Sequence, residues 1–275
     1  MKTQRGCAFD VVSDGQAFNS AMVNAPFIDG NQAIAVRYAG GCKGLTPEII
    51  AGMPAYFTDA HKGVGKIVAF SGGTINTEDT VVDGKTVRST KGFAITYVPS
   101  LLKAAYGCYA ISTTPRTDQM SLDAEFGGVI LTDYQDRVDF RQDRAVIVQV
   151  DPADIAESDW SKDVVPYLNL MQSWQKQGVK VAVVAFNGGA VTKDEIYLAL
   201  ERGIPVIAVR GSGRETDVFI DAFEKGTATV KDAASGDDVP VDASLVSIAS
   251  IEDAETFRAA LIARGIIEDA CGCVE

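Results

Sequence analysis

Two glycine-rich turns in this 275-residue chain are each followed, at short fixed spacing, by residues able to handle an anion or a sugar. One reads Asn187-Gly188-Gly189-Ala190-Val191-Thr192-Lys193-Asp194-Glu195 and the other Gly211-Ser212-Gly213-Arg214-Glu215-Thr216-Asp217. Glycines let backbone N–H groups approach a phosphate closely, and a helix beginning just after the turn adds its positive end. Arg214 supplies a planar donor fork suited to phosphate or carboxylate. Glu195 can bind a ribose hydroxyl or activate water against an anomeric carbon. A third turn, Ser71-Gly72-Gly73-Thr74, places hydroxyl and N–H donors after another apolar run.

The same residues have purely structural readings. Thr192-x-x-Glu195 and Ser212-x-x-Glu215 both fit the capping box, in which a hydroxyl and a carboxylate satisfy orphan N–H groups at a helix start. Ser71 to Thr74 fits an ordinary tight strand-to-helix turn. Arg214 is the exception, because a cation at the start of a helix opposes the macrodipole. An anionic partner would account for it.

Each turn follows a short run rich in β-branched residues, of the kind buried in a parallel sheet. Candidate strands are Ala33–Tyr38, Lys66–Phe70, Tyr109–Thr113, Gly128–Thr132, Ala145–Val150, Val179–Phe186, Ile204–Arg210 and Val241–Ile248. Helical periodicity marks Asp163–Gln177, Ile251–Ala263 and a segment opening at Thr46-Pro47-Glu48, with His61 as its C-terminal cap. Asn76–Arg88, centred on Asp83-Gly84, predicts an exposed hairpin or loop, and the charged stretch Asp133–Arg144 a solvated face or lid. The alternation predicts an α/β fold: a Rossmann-like, mostly parallel twisted sheet flanked by helices. One domain spanning 1–275 is expected, with 1–30 and 266–275 as peripheral extensions.

With 47% hydrophobic residues the chain can bury a large core, yet no apolar stretch approaches the roughly 20 residues of a membrane span. The N-terminus lacks an apolar signal core, so a cytoplasmic location is expected. A net charge of −12 argues against nucleic acid as a partner. Five dispersed cysteines predict reduced thiols, with a mobile end as the leading reading of the Cys271/Cys273 tail and a redox or metal-binding pair as its alternative. A single histidine argues against a His-based metal centre or triad. Neither a metal nor a resident cofactor is expected.

The Asn187–Glu195 segment resembles the P-G-G-x-G-T-x-x-E motif of the LOG nucleotide phosphoribohydrolases and lysine-decarboxylase-like proteins. Ile204–Phe223 resembles the P-V-V-V-x-x-G-S-G-R-x-x-D segment in the cytosolic region of TRPM channels. Both belong to the SLOG superfamily, and the TRPM type is the nearer of the two. The resemblance implies a nucleotide-derived ligand, ADP-ribose or a relative, held across the glycine loops. Gly188, Gly189 and Thr192 would then meet a phosphate, with Asn187 beside them. Glu195 would meet the ribose or act in N-glycosidic cleavage. Gly211, Ser212, Gly213, Arg214 and Asp217 would line the same pocket, together with Ser71, Gly72, Gly73 and Thr74.

Two departures stand out: the motif's proline is Asn187 here and its third glycine is Val191. The arginine that the hydrolases carry shortly before this motif has no equivalent between Val150 and Val179. The leading expectation is therefore a ligand sensor acting through a second subunit or a separately encoded effector, with a nucleotide N-glycosidase as the alternative. Phe70-Ser71-Gly72-Gly73-Thr74-Ile75 is also similar to the nucleophile loop of bacterial-type asparaginases, but that family's second loop has no counterpart. A structural or interaction protein is the remaining reading.

Overall fold

Lys180–Phe186 is apolar at every position after its first, because helices cover both faces of the sheet in which it lies. The computed structural model describes residues 8–13, 34–65, 67–72, 77–90, 92–115, 120–123, 128–131, 143–149 and 161–268. Its strands are β1 (Ala8–Ser13), β2 (Ile34–Gly40), β3 (Val68–Gly72), β4 (Thr77–Val82), β5 (Lys85–Thr90), β6 (Tyr109–Pro115) and β7 (Met120–Asp123). They continue with β8 (Gly128–Leu131), β9 (Arg144–Gln149), β10 (Lys180–Phe186), β11 (Val206–Arg210), β12 (Thr229–Lys231), β13 (Asp238–Pro240) and β14 (Val246–Ser250). Helices are α1 (Pro47–Ala60), α2 (Val98–Tyr106), α3 (Val164–Lys176), α4 (Ala190–Glu201), α5 (Arg214–Glu224) and α6 (Ala254–Ala263).

Eight strands form the main sheet in the order β1-β9-β6-β3-β2-β10-β11-β14, every neighbouring pair parallel. From β2 the chain moves outward through β3, β6 and β9, then returns to lay β10, β11 and β14 on the other side. The direction of winding thus reverses between β2 and β10, and the crevice at the carboxyl ends of such a pair is where open α/β sheets hold ligands.

Side chains alternate across the sheet with period two. Val181, Val183 and Ala185 face Tyr167 and Leu168 of α3, Ile196 of α4 and Phe219 of α5, while Ala182, Val184 and Phe186 face Phe57 of α1, Leu102 of α2 and Phe257 of α6. The structure thus has the predicted α/β, Rossmann-like form.

Three features differ from expectation. Within the segment 1–30, read as a peripheral extension, Ala8–Ser13 joins the main sheet as its edge strand beside β9. The Gly128 strand instead pairs with β7 in a separate hairpin. The last strand begins five residues later than its apolar run, because the Asp242 carboxylate accepts from Ser244 N and winds Ala243–Leu245 into a 3-10 turn. The Asp83-Gly84 hairpin forms, both turn residues taking positive φ, 51° and 73°. The stretch 132–142 and the Cys271/Cys273 tail lie outside the described residues.

His61 caps α1 as expected and is wholly buried. Its Nδ1 donates to the Phe57 carbonyl (2.7 Å), so the neutral ring accepts from the Tyr38 hydroxyl at Nε2 (2.6 Å). Among the described residues, no group of carboxylates, thiols and imidazole is arranged to hold a metal ion. None of their helices is long and apolar enough to cross a membrane.

Candidate functional site

At the β2–β10 crossing point the two backbones approach so closely that Gly40 has no alternative. A Cβ there would sit 1.9 Å from the Phe186 carbonyl oxygen, and its φ is +141°. The Gly40-Gly41 turn is a site feature that the glycine-loop reading missed. Its sequence signal was the same as for the other loops: glycines at the end of an apolar run. Asn187, next after β10, sits at φ +57° and ties the crevice together. Its Nδ2 donates to the carbonyls of Ser212 (2.6 Å) and Lys43 (3.3 Å), its N–H to the Ser212 hydroxyl (2.7 Å), and its carbonyl accepts from Thr216 N and Oγ1. The motif's proline could not make the N–H contact.

The Asn187–Gly189 and Gly211–Gly213 loops therefore meet. Helix α4 starts at an N-cap of Gly189, not at Thr192, and no side chain caps it. Thr192 instead turns its buried side chain under Gly188, where an added Cβ would lie 2.1 Å from Thr192 Oγ1. Among the described residues, the N–H groups of Gly189, Ala190 and Val191 have no hydrogen-bond partner. They form a bare, partly exposed helix end of the type that binds anions.

The Arg214 guanidinium lies over this end, with Nη2 2.9 Å from where a Gly189 Cβ would stand. Arg214 itself is the first residue of α5 and has φ +53°, a left-handed conformation that costs a non-glycine residue about 1–3 kcal/mol. Among the described residues no carboxylate pairs with it. A strained, exposed cation placed at two helix N-termini opposes both helix dipoles.

The Gly211–Gly213 turn has a different role from its glycine pattern. Both Asp217 oxygens accept from the turn, from Gly211 N (2.9 Å) and Gly213 N (3.0 Å), and Ser212 Oγ donates to the Val209 carbonyl (2.6 Å). These groups shape the loop and leave Arg214 as its outward-facing donor. The Ser212-x-x-Glu215 capping box does not form, since α5 begins at a Gly213 cap.

Ser71 and Gly72 end β3, which lies beside β2 and is one strand removed from β10. The Ser71 hydroxyl donates to the carbonyls of Gly72 and Thr96 (both 3.0 Å). Gly73 and Thr74 lie outside the described residues.

Glu195 occupies the second turn of α4 and is 2% exposed. Its Oε1 accepts from Arg37 Nε (3.0 Å), Arg37 Nη2 (2.8 Å) and the Tyr167 hydroxyl (2.6 Å). Arg37 Nη1 continues to Thr113 Oγ1 (2.8 Å), which donates to Asp163 Oδ2 (2.8 Å) at the start of α3. The guanidinium also lies 4.2 Å from the Tyr167 ring centroid. Burial by itself would lower the Arg37 pKa, but the neighbouring Tyr167 and the carboxylates of Glu195 and Asp163 outweigh it and hold the cation firmly protonated. Burial pushes the Asp163 carboxyl up to about 6, against the pull of Arg37 and the Thr113 hydroxyl. Sequence reading missed Arg37 as the partner of Glu195, having sought an arginine only shortly before the motif; it lies 158 residues upstream.

Residues 129–256 match the family model described as SLOG in TRPM, prokaryote. No curated protein matches the chain. Similar solved structures include the X-ray structure of TM1055, at 18% identity and a TM-score of 0.39, covering 84% of this chain and 97% of that one. The Moco carrier protein from Chlamydomonas reinhardtii aligns at 14% identity and a TM-score of 0.42, covering 85% and 98% respectively.

Proposed function

We propose that this chain, a member of the SLOG superfamily through residues 129–256, binds a phosphate-bearing nucleotide-derived ligand of the ADP-ribose kind at the β2–β10 crevice and does not cleave it. The observation that carries this reading is Arg214, strained and without a carboxylate partner among the described residues, laid over the uncapped α4 N-terminus. A phosphate there neutralises Arg214, accepts from the free N–H groups of Gly189 to Val191 and gains from the helix dipole.

Burial of Glu195 favours binding over hydrolysis. A general base needs a free lone pair within reach of water. Glu195 Oε1 already receives three donors, two of them from a cation, and only 2% of the residue is exposed, which leaves little room for a water beside its other oxygen. Glu195 then acts as the anchor that fixes α4, and so the anion site, against the sheet. Ligand occupancy would be reported to a second subunit or a separate effector.

A thermal-shift series with AMP, NAD and ADP-ribose tests the reading. A ligand at a hundredfold excess over Kd stabilises the fold by about 2.7 kcal/mol, which is readily seen as a rise in Tm. Saturable shifts that vanish in Arg214→Ala support it; a flat response to the whole panel refutes it.

A further inference from the structure

Beyond the anion site the same carboxyl edge of the sheet opens into a cavity of about 490 Å³ on the opposite face, between α1 and the ends of β11 and β14. This volume falls within the range of about 300–1,000 Å³ usual for small-molecule sites. Ile49, Gly52, Met53 and Tyr56 line it from one face of α1, and Gly211 and Ile251 close the far side. The Tyr56 ring is fixed before any ligand arrives: it stacks on Phe257 at 5.5 Å and its hydroxyl donates to the Ser250 carbonyl (2.9 Å).

Gly52 is informative because it sits in the helix interior, where glycine costs about 1 kcal/mol relative to alanine. No neighbour requires its smallness, since an added Cβ would meet nothing within 4 Å. The absent side chain only leaves room in the cavity. Gly211, by contrast, is a shared wall: it belongs to the loop that presents Arg214, and an added Cβ would lie 2.9 Å from Ile251. Gly211 and Arg214 are three positions apart in the chain, so their Cα atoms lie within about 11 Å.

We propose that this cavity is the subsite for the flat heteroaromatic base of the ligand, held between the α1 face and Gly211 while its phosphate lies under Arg214. The inference rests on the nucleotide-binding reading above and adds the place, and the chemical class, of the ligand's second end. Tyr56, Ile49, Met53 and Ile251 offer apolar surface to a π-face, Arg210 and Glu252 in the same lining offer polar groups to the base edge, and the shared Gly211 loop sets the distance between base and phosphate.

The series Gly52→Ala, Gly52→Leu and Gly52→Phe fills the cavity stepwise at a position open to side chains. Calorimetric titration compares AMP and ADP-ribose with ribose 5-phosphate, which carries a phosphate and no base. The expected result is a Kd for AMP and ADP-ribose close to wild type in Gly52→Ala and raised at least tenfold in Gly52→Phe. Ribose 5-phosphate affinity should stay within twofold throughout, and every Tm should equal or exceed that of the wild type. Arg214→Ala should weaken all three ligands. Undiminished AMP and ADP-ribose binding in Gly52→Phe, with binding still lost in Arg214→Ala, overturns the base subsite alone. Failure of the wild type to bind any nucleotide overturns both this inference and the reading beneath it.

Discussion

Arg37 on β2 and Glu195 on α4 form a buried ion pair with 2.8 Å between nitrogen and oxygen, both side chains about 5% exposed or less. The pair ties the helix that carries the bare N-terminal end to the central strand of the sheet. Ala35 and Ala39, on the same face of β2, leave the volume that the guanidinium occupies. Breaking a buried pair strands one charge, at a cost of about 3–5 kcal/mol. Arg37→Met and Glu195→Met should each lower the urea midpoint accordingly, and the double variant Arg37→Met/Glu195→Met should recover most of the loss. Additive losses in the double variant would show that the two residues do not act as a pair.

Arg214 should separate stability from binding. Arg214→Gly removes left-handed strain and should be as stable as the wild type or more so, by up to about 1 kcal/mol, since glycine's unfolded-state entropy offsets part of the gain. Ligand binding should nevertheless fall at least tenfold. A destabilised Arg214→Gly protein, measured by urea denaturation, would assign Arg214 a structural role instead.

Two adjacent glycines at the β2 end should respond in opposite ways. Gly40→Ala drives a Cβ into the Phe186 carbonyl and should cost about 3 kcal/mol or more, whereas Gly41 has open space around its Cα and Gly41→Ala should be near neutral. Denaturant midpoints of the two variants check the close approach at the crossing point.

Stability below neutral pH depends on two buried groups that titrate in opposite senses. Burial lowers the His61 pKa from 6.5 to about 4, helped by Arg258 and opposed by the Phe57 hydrogen bond. The unfolded imidazole takes up a proton near 6.5 while the folded one does not until about 4, so this contribution to stability falls as pH drops through that window, by about 3 kcal/mol in all. Asp163 runs the other way: its folded pKa of about 6 exceeds the ordinary 3.8, so it favours the folded state at low pH and loses that contribution as pH rises towards 6. Asp163→Asn should therefore sharpen the loss of stability between pH 6.5 and 4, and His61→Gln should abolish or reverse it. Urea midpoints at pH 4.5 and 7 would contradict this if both variants kept the wild-type pH slope.

Much of the frame was legible because its signals are local. Runs such as Val206–Arg210, the Asp83-Gly84 turn and the Thr46-Pro47 helix start each carry their own chemistry, and the structure contains all three. The glycine loops could be located by the same logic, but their internal wiring could not. Asp217 matches a ligand residue and a loop clamp equally well until its two N–H donors are placed. Thr192 and Glu195 have the spacing of a capping box, yet the helix begins three residues earlier, so Thr192 packs under Gly188 and Glu195 turns inward. The Arg37 partnership was hidden for a different reason: it joins β2 to α4 across 158 residues, and only the parallel strand order brings them together.

The central claim, that the crevice holds a nucleotide-derived ligand intact, is tested most directly by titrating the wild-type protein with ADP-ribose and then chromatographing the recovered ligand. The account predicts saturable one-site binding with every equivalent recovered unchanged after prolonged incubation. Absence of binding, or multiple-turnover release of adenine or ribose phosphate, would contradict it.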